Sequence, residues 1–195
     1  MTVTQRNDWR VVDIVVAAVI AVAFGVVFLA WNAIYAAADP LFAVLRPAQA
    51  ILYGVWLLPG VLVGLIVRRP GAALFGGFVS AAVSVLLGSP YGIDALISGA
   101  IQGAGAELAF LIGLYRSWGL VFAILAGVLS GLAAAVHDLV VYYPDFGLDW
   151  QLLYAGATAV SGALIGGIGA WLLLRALVTT GVLHEFAAGR DQAEV

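Results

Sequence analysis

Glu107, Gln102, His137 and Asp138 are polar side chains that interrupt the long apolar runs of this chain, and each can hold a ligand or a proton. Glu107 lies in the run 93–114, about seven residues from its end, a depth of roughly 10 Å at helical rise. A charge near a bilayer centre costs about 2.5–3.5 kcal/mol on insertion scales. A carboxylate there either faces an internal cavity, binding a cation or a hydrogen-bond donor, or serves another polar group of the protein. Gln102 stands five residues earlier, about 140° around a helix, so the two share a site only in a wide cavity. His137 and Asp138 stand near the end of the run 117–142, ahead of Tyr142, Tyr143 and Pro144. They form either the polar mouth of a ligand site or an ordinary interfacial helix end.

Aromatic side chains supply a second ingredient. Trp31, Tyr35, Tyr53, Trp56, Trp150 and Tyr154 all fall toward what the spans below make the outer half. An interfacial aromatic belt accounts for part of this set. The sharper reading is a stacking box for a flat heterocycle, with cation–π attraction for a charged one. Tyr53 and Trp56 are three residues apart and so share a helix face.

Other chemistries find no support. The chain has no cysteine and no lysine, which removes thiolate chemistry, Schiff bases and a G-x-x-x-x-G-K-[ST] phosphate loop. His184-Glu185 lacks the second histidine of a zinc-protease helix, and no G-x-S-x-G is present. Two separated histidines do not build a histidine-based metal site. The reading is therefore non-catalytic, without metal or cofactor. A net charge of −3 and no basic run give no case for nucleic acid.

The elements that must position these residues follow from composition. Hydrophobic residues are 64% and charged residues 10% of 195, against roughly 25% charged in soluble domains. A span needs about 20 apolar residues, which leaves room for six helices and short loops. The expected architecture is an all-α integral membrane bundle, one domain over 1–195, with helices at 14–38, 48–67, 71–87, 93–114, 117–142 and 150–177. The first run is too long for a signal peptide, whose apolar stretch is about 7–15 residues. With the N-terminus inside, Arg6, Arg10, Arg68, Arg69, Arg116, Arg175 and Arg190 fall on the cytoplasmic side and only Arg46 outside. The positive-inside rule then puts both termini in the cytoplasm. Gly60/Gly64, Gly99/Gly103, Gly127/Gly131 and Gly162/Gly166 place glycines one turn apart in four runs, a pattern that lets helices approach closely.

The block Tyr53-Gly-Val-Trp56, the loop from Arg68 to Leu74, the turn Leu87-Gly-Ser-Pro90 and above all Gln102-Gly-Ala-Gly-Ala-Glu107 resemble the YkoE family. These are substrate-binding (S) components of energy-coupling factor (ECF) transporters for thiamine or its hydroxymethylpyrimidine precursor. The similarity runs from the first span to about Gly113 and continues to Thr180-Gly-Val-Leu183. It implies a multi-pass protein of the bacterial plasma membrane that captures a vitamin. A transmembrane coupling (T) subunit and separate ATPase subunits would supply the energy. It implies Glu107 and Gln102 as ligand residues, with Tyr53 and Trp56 as stacking partners; Asp138 from the polar mouth and Trp31 from the aromatic set complete the expected ligand residues. It also implies Ala17 and Ala21 as small residues facing the coupling subunit. The family pattern implies a glutamate after the Pro-Gly-Ala-Ala-Leu stretch, where this chain has Gly77. An S component for another small nutrient and a non-transport membrane scaffold are the alternative expectations.

Overall fold

A computed structural model describes residues 8–193; Arg6, counted above for orientation, lies outside them. Every regular element described is helical. The order is α1 (Val11–Ala38), two 3-10 segments (Asp39–Phe42 and Arg46–Leu52), α2 (Gly54–Val67), α3 (Ala72–Leu86), α4 (Asp94–Ile112), α5 (Leu120–Val141) and α6 (Leu148–Ser161). A π-helical segment (Gly162–Gly169) joins α6 to α7 (Ala170–Thr179), and α8 (Ala187–Ala193) closes the chain.

Five helical stretches among the described residues are long and apolar enough to cross a membrane: Val11–Phe42, Arg46–Val67, Asp94–Ile112, Leu120–Val141 and Leu148–Thr179. Ala72–Leu86 is apolar but shorter. The run 48–67 opens on the 3-10 segment rather than on α-helix, and 150–177 contains the π-segment. The short α8 has no counterpart in the expected set.

α2 is apolar all round because it is central: nearly every residue from Leu57 to Val67 is buried. α1 is one-sided. Its buried stripe Asp13, Ala17, Ala21, Gly25, Phe28 and Asn32 recurs at helical spacing and packs on α2 and α3, while Val15, Val19, Val22 and Val26 are exposed. Ala17 and Ala21, expected to face a partner subunit, are fully buried inside this chain. Their small size seats α1 against its own bundle.

Glycine sets the closest contacts. Gly77 on α3 meets Gly99 and Gly103 on α4, where an added Cβ would stand 2.7 Å from the Gly99 carbonyl oxygen. Gly127 on α5 faces Gly162 of the π-segment across their backbones. Two ends of the bundle result. One gathers the start of α1, the α2–α3 loop, the α4–α5 loop and α8, tied by Trp9 Nε1 donating to Pro70 O and by Arg10 donating to Glu185 O. The other holds a cavity.

Candidate functional site

The cavity lies between the C-terminal half of α1, the start of α2, the C-terminal half of α3, the first turns of α4 and the end of α5. Its volume is about 130 Å³. Four of the six expected ligand residues line it: Tyr53, Trp56, Gln102 and Asp138. Sequence reasoning did not place Asn32, Ser98 and Tyr91 in a site, yet they line the cavity too. An amide in the apolar run 14–38 was the available signal for Asn32, as was the four-residue spacing to Gln102 for Ser98.

Aromatic rings form one wall. Trp56 meets Tyr35 at a centroid distance of 4.8 Å, Tyr53 at 5.1 Å and Tyr91 at 6.1 Å, all edge to face. Tyr91 stands in the α3–α4 loop and continues the chain of rings to Tyr142. Burial pushes the Tyr91 phenol up to about 12, so it stays protonated in ordinary buffers.

The polar groups are fixed by one another. Trp56 Nε1 donates to Asn32 Oδ1 at 3.1 Å. Gln102 Nε2 donates to Ser98 Oγ at 2.7 Å and to Tyr53 OH at 3.2 Å, while Ser130 Oγ holds the Gln102 backbone carbonyl at 2.8 Å. Both amides are more than nine-tenths buried. After these bonds, Asn32 Nδ2 and Gln102 Oε1 have no protein partner among the described residues. The cavity thus receives one donor and one acceptor from opposite helices. Because both Gln102 partners are hydroxyls, which donate as well as accept, its amide can present either end.

Asp138 is the buried charge-bearing group beside this pair. His137 Nδ1 lies 2.9 Å from its Oδ1 and Tyr154 OH donates to Oδ2 at 2.7 Å. The other imidazole nitrogen lies 3.3 Å from Asp94 Oδ1 at the start of α4. Tyr142 donates to the second oxygen of Asp94. Burial first, then that bond, raises the Tyr142 phenol above its usual range. This network ties the mouth-side ends of α4 and α5 together.

Glu107 and Trp31 are not brought to the cavity. Glu107 Oε1 accepts from Gly71 N at 2.7 Å and Tyr115 OH at 2.7 Å, and Oε2 accepts from Ala73 N at 2.9 Å. The carboxylate therefore caps the first turn of α3 from across the bundle, satisfying amides that no intrahelical carbonyl can reach. Trp31 Nε1 donates to Leu52 O at 3.2 Å, fastening α1 to the 3-10 segment. Gly77 does line the cavity, and its tight contact with Gly99 leaves no room for the glutamate implied by the family pattern.

Known proteins are similar to this chain in sequence and in fold. The family described as "ABC-type cobalt transport system, permease component" matches residues 12–133. The chain is 33% identical over 186 residues to the putative HMP/thiamine permease protein YkoE of Bacillus subtilis (strain 168), covering 95% of this chain and 92% of that protein. The crystal structure of an S-component of an ECF transporter superposes with a TM-score of 0.91 at 32% identity, over 96% of this chain and 94% of the other. These relatives are transport subunits, and the chain is a multi-pass protein of the bacterial plasma membrane.

Proposed function

We propose that this chain, which belongs to the YkoE-type family of substrate-binding (S) components of ECF transporters, captures thiamine or its hydroxymethylpyrimidine precursor through the aminopyrimidine ring the two share. The observation that carries this reading is the pairing of unpartnered Asn32 Nδ2 and Gln102 Oε1 beneath an aromatic wall. An aminopyrimidine edge presents a ring-nitrogen acceptor beside an amino donor. Such an edge takes one donor and one acceptor, which a single asparagine or glutamine amide offers to adenine and which Asn32 and Gln102 would supply here one each. A dry cavity of about 150 Å³ accommodates benzene, so the 130 Å³ here suits one six-membered ring.

The topology supports uptake from outside. With six crossings and the arginine-rich end inside, both termini included, as the positive-inside rule favours, the cavity opens at the outer face. α3 crosses within the bundle, where a 15-residue helix needs no full lipid-facing length. The chain has no nucleotide motif, so a coupling T subunit and ATPase subunits provide the energy. The exposed valines of α1, not Ala17 and Ala21, are the part of that helix available to them.

Among the described residues no group of three or more His, Cys, Asp or Glu could hold a metal ion. One observation favours a second reading, capture of another flat nutrient: Gly77 leaves the site without the glutamate that the family pattern implies.

Isothermal titration of the purified protein with hydroxymethylpyrimidine and with thiamine tests the proposal. Nanomolar to low-micromolar binding of either is expected. Absence of heat with folded protein, together with binding of a different heterocycle from a vitamin panel, would transfer the assignment to that nutrient. Binding of no small molecule at all would favour the scaffold.

A further inference from the structure

His137 stands in the last turns of α5 and is buried, as is its neighbour Asp138. Its two ring nitrogens meet two different carboxylates. Nδ1 lies 2.9 Å from Asp138 Oδ1, and Nε2 lies 3.3 Å from Asp94 Oδ1 at the start of α4. Each carboxylate already accepts a phenolic hydroxyl on its other oxygen, Asp138 from Tyr154 and Asp94 from Tyr142. Ionised carboxylates only accept, and a neutral imidazole has a single N–H. Two gaps between acceptors therefore call for two protons on the ring. A buried imidazolium is tolerated where partners of opposite charge flank it, and here it has one on each side.

We propose that His137 is a positioning residue of the ligand site and works as an imidazolium, donating to Asp138 and Asp94 at once. The two carboxylates belong to different parts of that site. Asp138 lines the cavity. Asp94 follows the α3–α4 loop, whose Tyr91 extends the aromatic wall from Trp56. The ring thus fixes the Asp138 carboxylate and holds the loop end of α4 against α5. This role rests on reading the cavity as the ligand site. A ring that loses one proton keeps one carboxylate and releases the other, so capture of cargo weakens as the pH rises. The proton has a route at the mouth, because the Asp94 side chain is 27% exposed against 5% for His137 and 6% for Asp138. The other titratable groups near the trio are the phenols of Tyr142, Tyr154, Tyr53 and Tyr91. Asp149 opens α6, while α2 and the π-segment carry no ionisable side chain. Glu107 of α4 and Arg175 of α7 belong to the opposite end.

Full-length protein with nitrogen-15 histidine in detergent tests this by ring-nitrogen NMR. The chain has two histidines, so H137Q assigns the His137 signals. At about pH 6.5 both His137 nitrogens should resonate as protonated, and at about pH 9.5 one should be bare. A bare nitrogen at the lower pH puts the proton on a carboxyl, or leaves it out, and overturns the imidazolium. Melting midpoints of wild type, D94N, H137Q and the double variant test the bridge without cargo. At the lower pH the double variant should melt close to H137Q, and at the higher pH the two losses should add. Additive losses at both overturn the bridge. Hydroxymethylpyrimidine affinity should fall about fivefold to tenfold in wild type over the same interval, the scale of one hydrogen bond, and less than about twofold in H137Q. A wild-type affinity that ignores pH, or an H137Q profile as steep as that of wild type, removes His137 from positioning the site. Absence of cargo binding at either pH, with the first two measurements as expected, sinks the reading of the cavity and leaves the proton-bearing bridge standing.

Discussion

Trp56 donates its indole N–H to the side-chain carbonyl of Asn32 at 3.1 Å, and this bond decides which edge of the amide the cavity sees. With Oδ1 engaged, Nδ2 is left to donate to a ligand. Trp56 thus contributes an aromatic face and the orientation of a neighbour on another helix. Asn32→Ala should weaken ligand binding about fivefold to tenfold, the worth of one neutral hydrogen bond. Trp56→Phe keeps a ring but releases the amide, so its loss should approach that of Asn32→Ala. Titration calorimetry on both single variants and the double variant checks the coupling: additive losses would show that the indole does not act through Asn32.

Glu107→Ala should leave ligand affinity near wild type and lower stability instead. The carboxylate satisfies Gly71 N, Ala73 N and Tyr115 OH, and charged hydrogen bonds are worth roughly 1.5–3 kcal/mol each when lost. With a midpoint shift of about 2–4 °C per kcal/mol in a chain of this size, a fall of at least 3 °C is expected by fluorescence-monitored melting. A large affinity loss at unchanged stability would return Glu107 to the ligand site.

The contrast between Glu107 and Asn32 shows where sequence reasoning reached and where it stopped. Apolar runs of 20 residues announce helices because a bilayer leaves the backbone no other partner, and Tyr53, Trp56 and Gln102 were legible as stacking and polar groups on one side of those runs. Depth along a helix, however, does not say what stands opposite. Glu107 is deep in its run, yet the α2–α3 loop folds over to present backbone amides to it. Ala17 and Ala21 stood out through the family resemblance as small residues facing a partner, and the sequence did not show that they are buried within this chain's own bundle. Asn32, the one amide in a run of 25 residues, gains meaning only from Trp56, 24 positions away.

Gly77→Glu should not strengthen binding. A Cβ at this position would stand 2.7 Å from the Gly99 carbonyl oxygen and 3.1 Å from Gly103 Cα, so α3 and α4 must separate before any carboxylate reaches the cavity. Overpacking of this kind costs about 1–3 kcal/mol. Gly77→Ala should lower the melting midpoint to a similar degree, isolating the steric part. Tighter pyrimidine binding by Gly77→Glu at wild-type stability would show that the helices yield and that the carboxylate is useful there.

Asp138→Asn should distinguish cationic from neutral cargo. The carboxylate lines the cavity and is held by His137 and Tyr154, so the isosteric amide keeps the shape while removing the charge. Two unit charges about 6 Å apart at an effective dielectric near 20 attract by roughly 3 kcal/mol, which is about a hundredfold in affinity. Thiamine carries a fixed thiazolium charge and hydroxymethylpyrimidine does not. Thiamine binding should therefore fall by ten- to a hundredfold in the variant while hydroxymethylpyrimidine binding changes by less than about fivefold, the scale of one neutral hydrogen bond. Equal losses for the two ligands, read by calorimetry on the same preparation, would mean that Asp138 acts by holding His137 and Tyr154 in place rather than by its field.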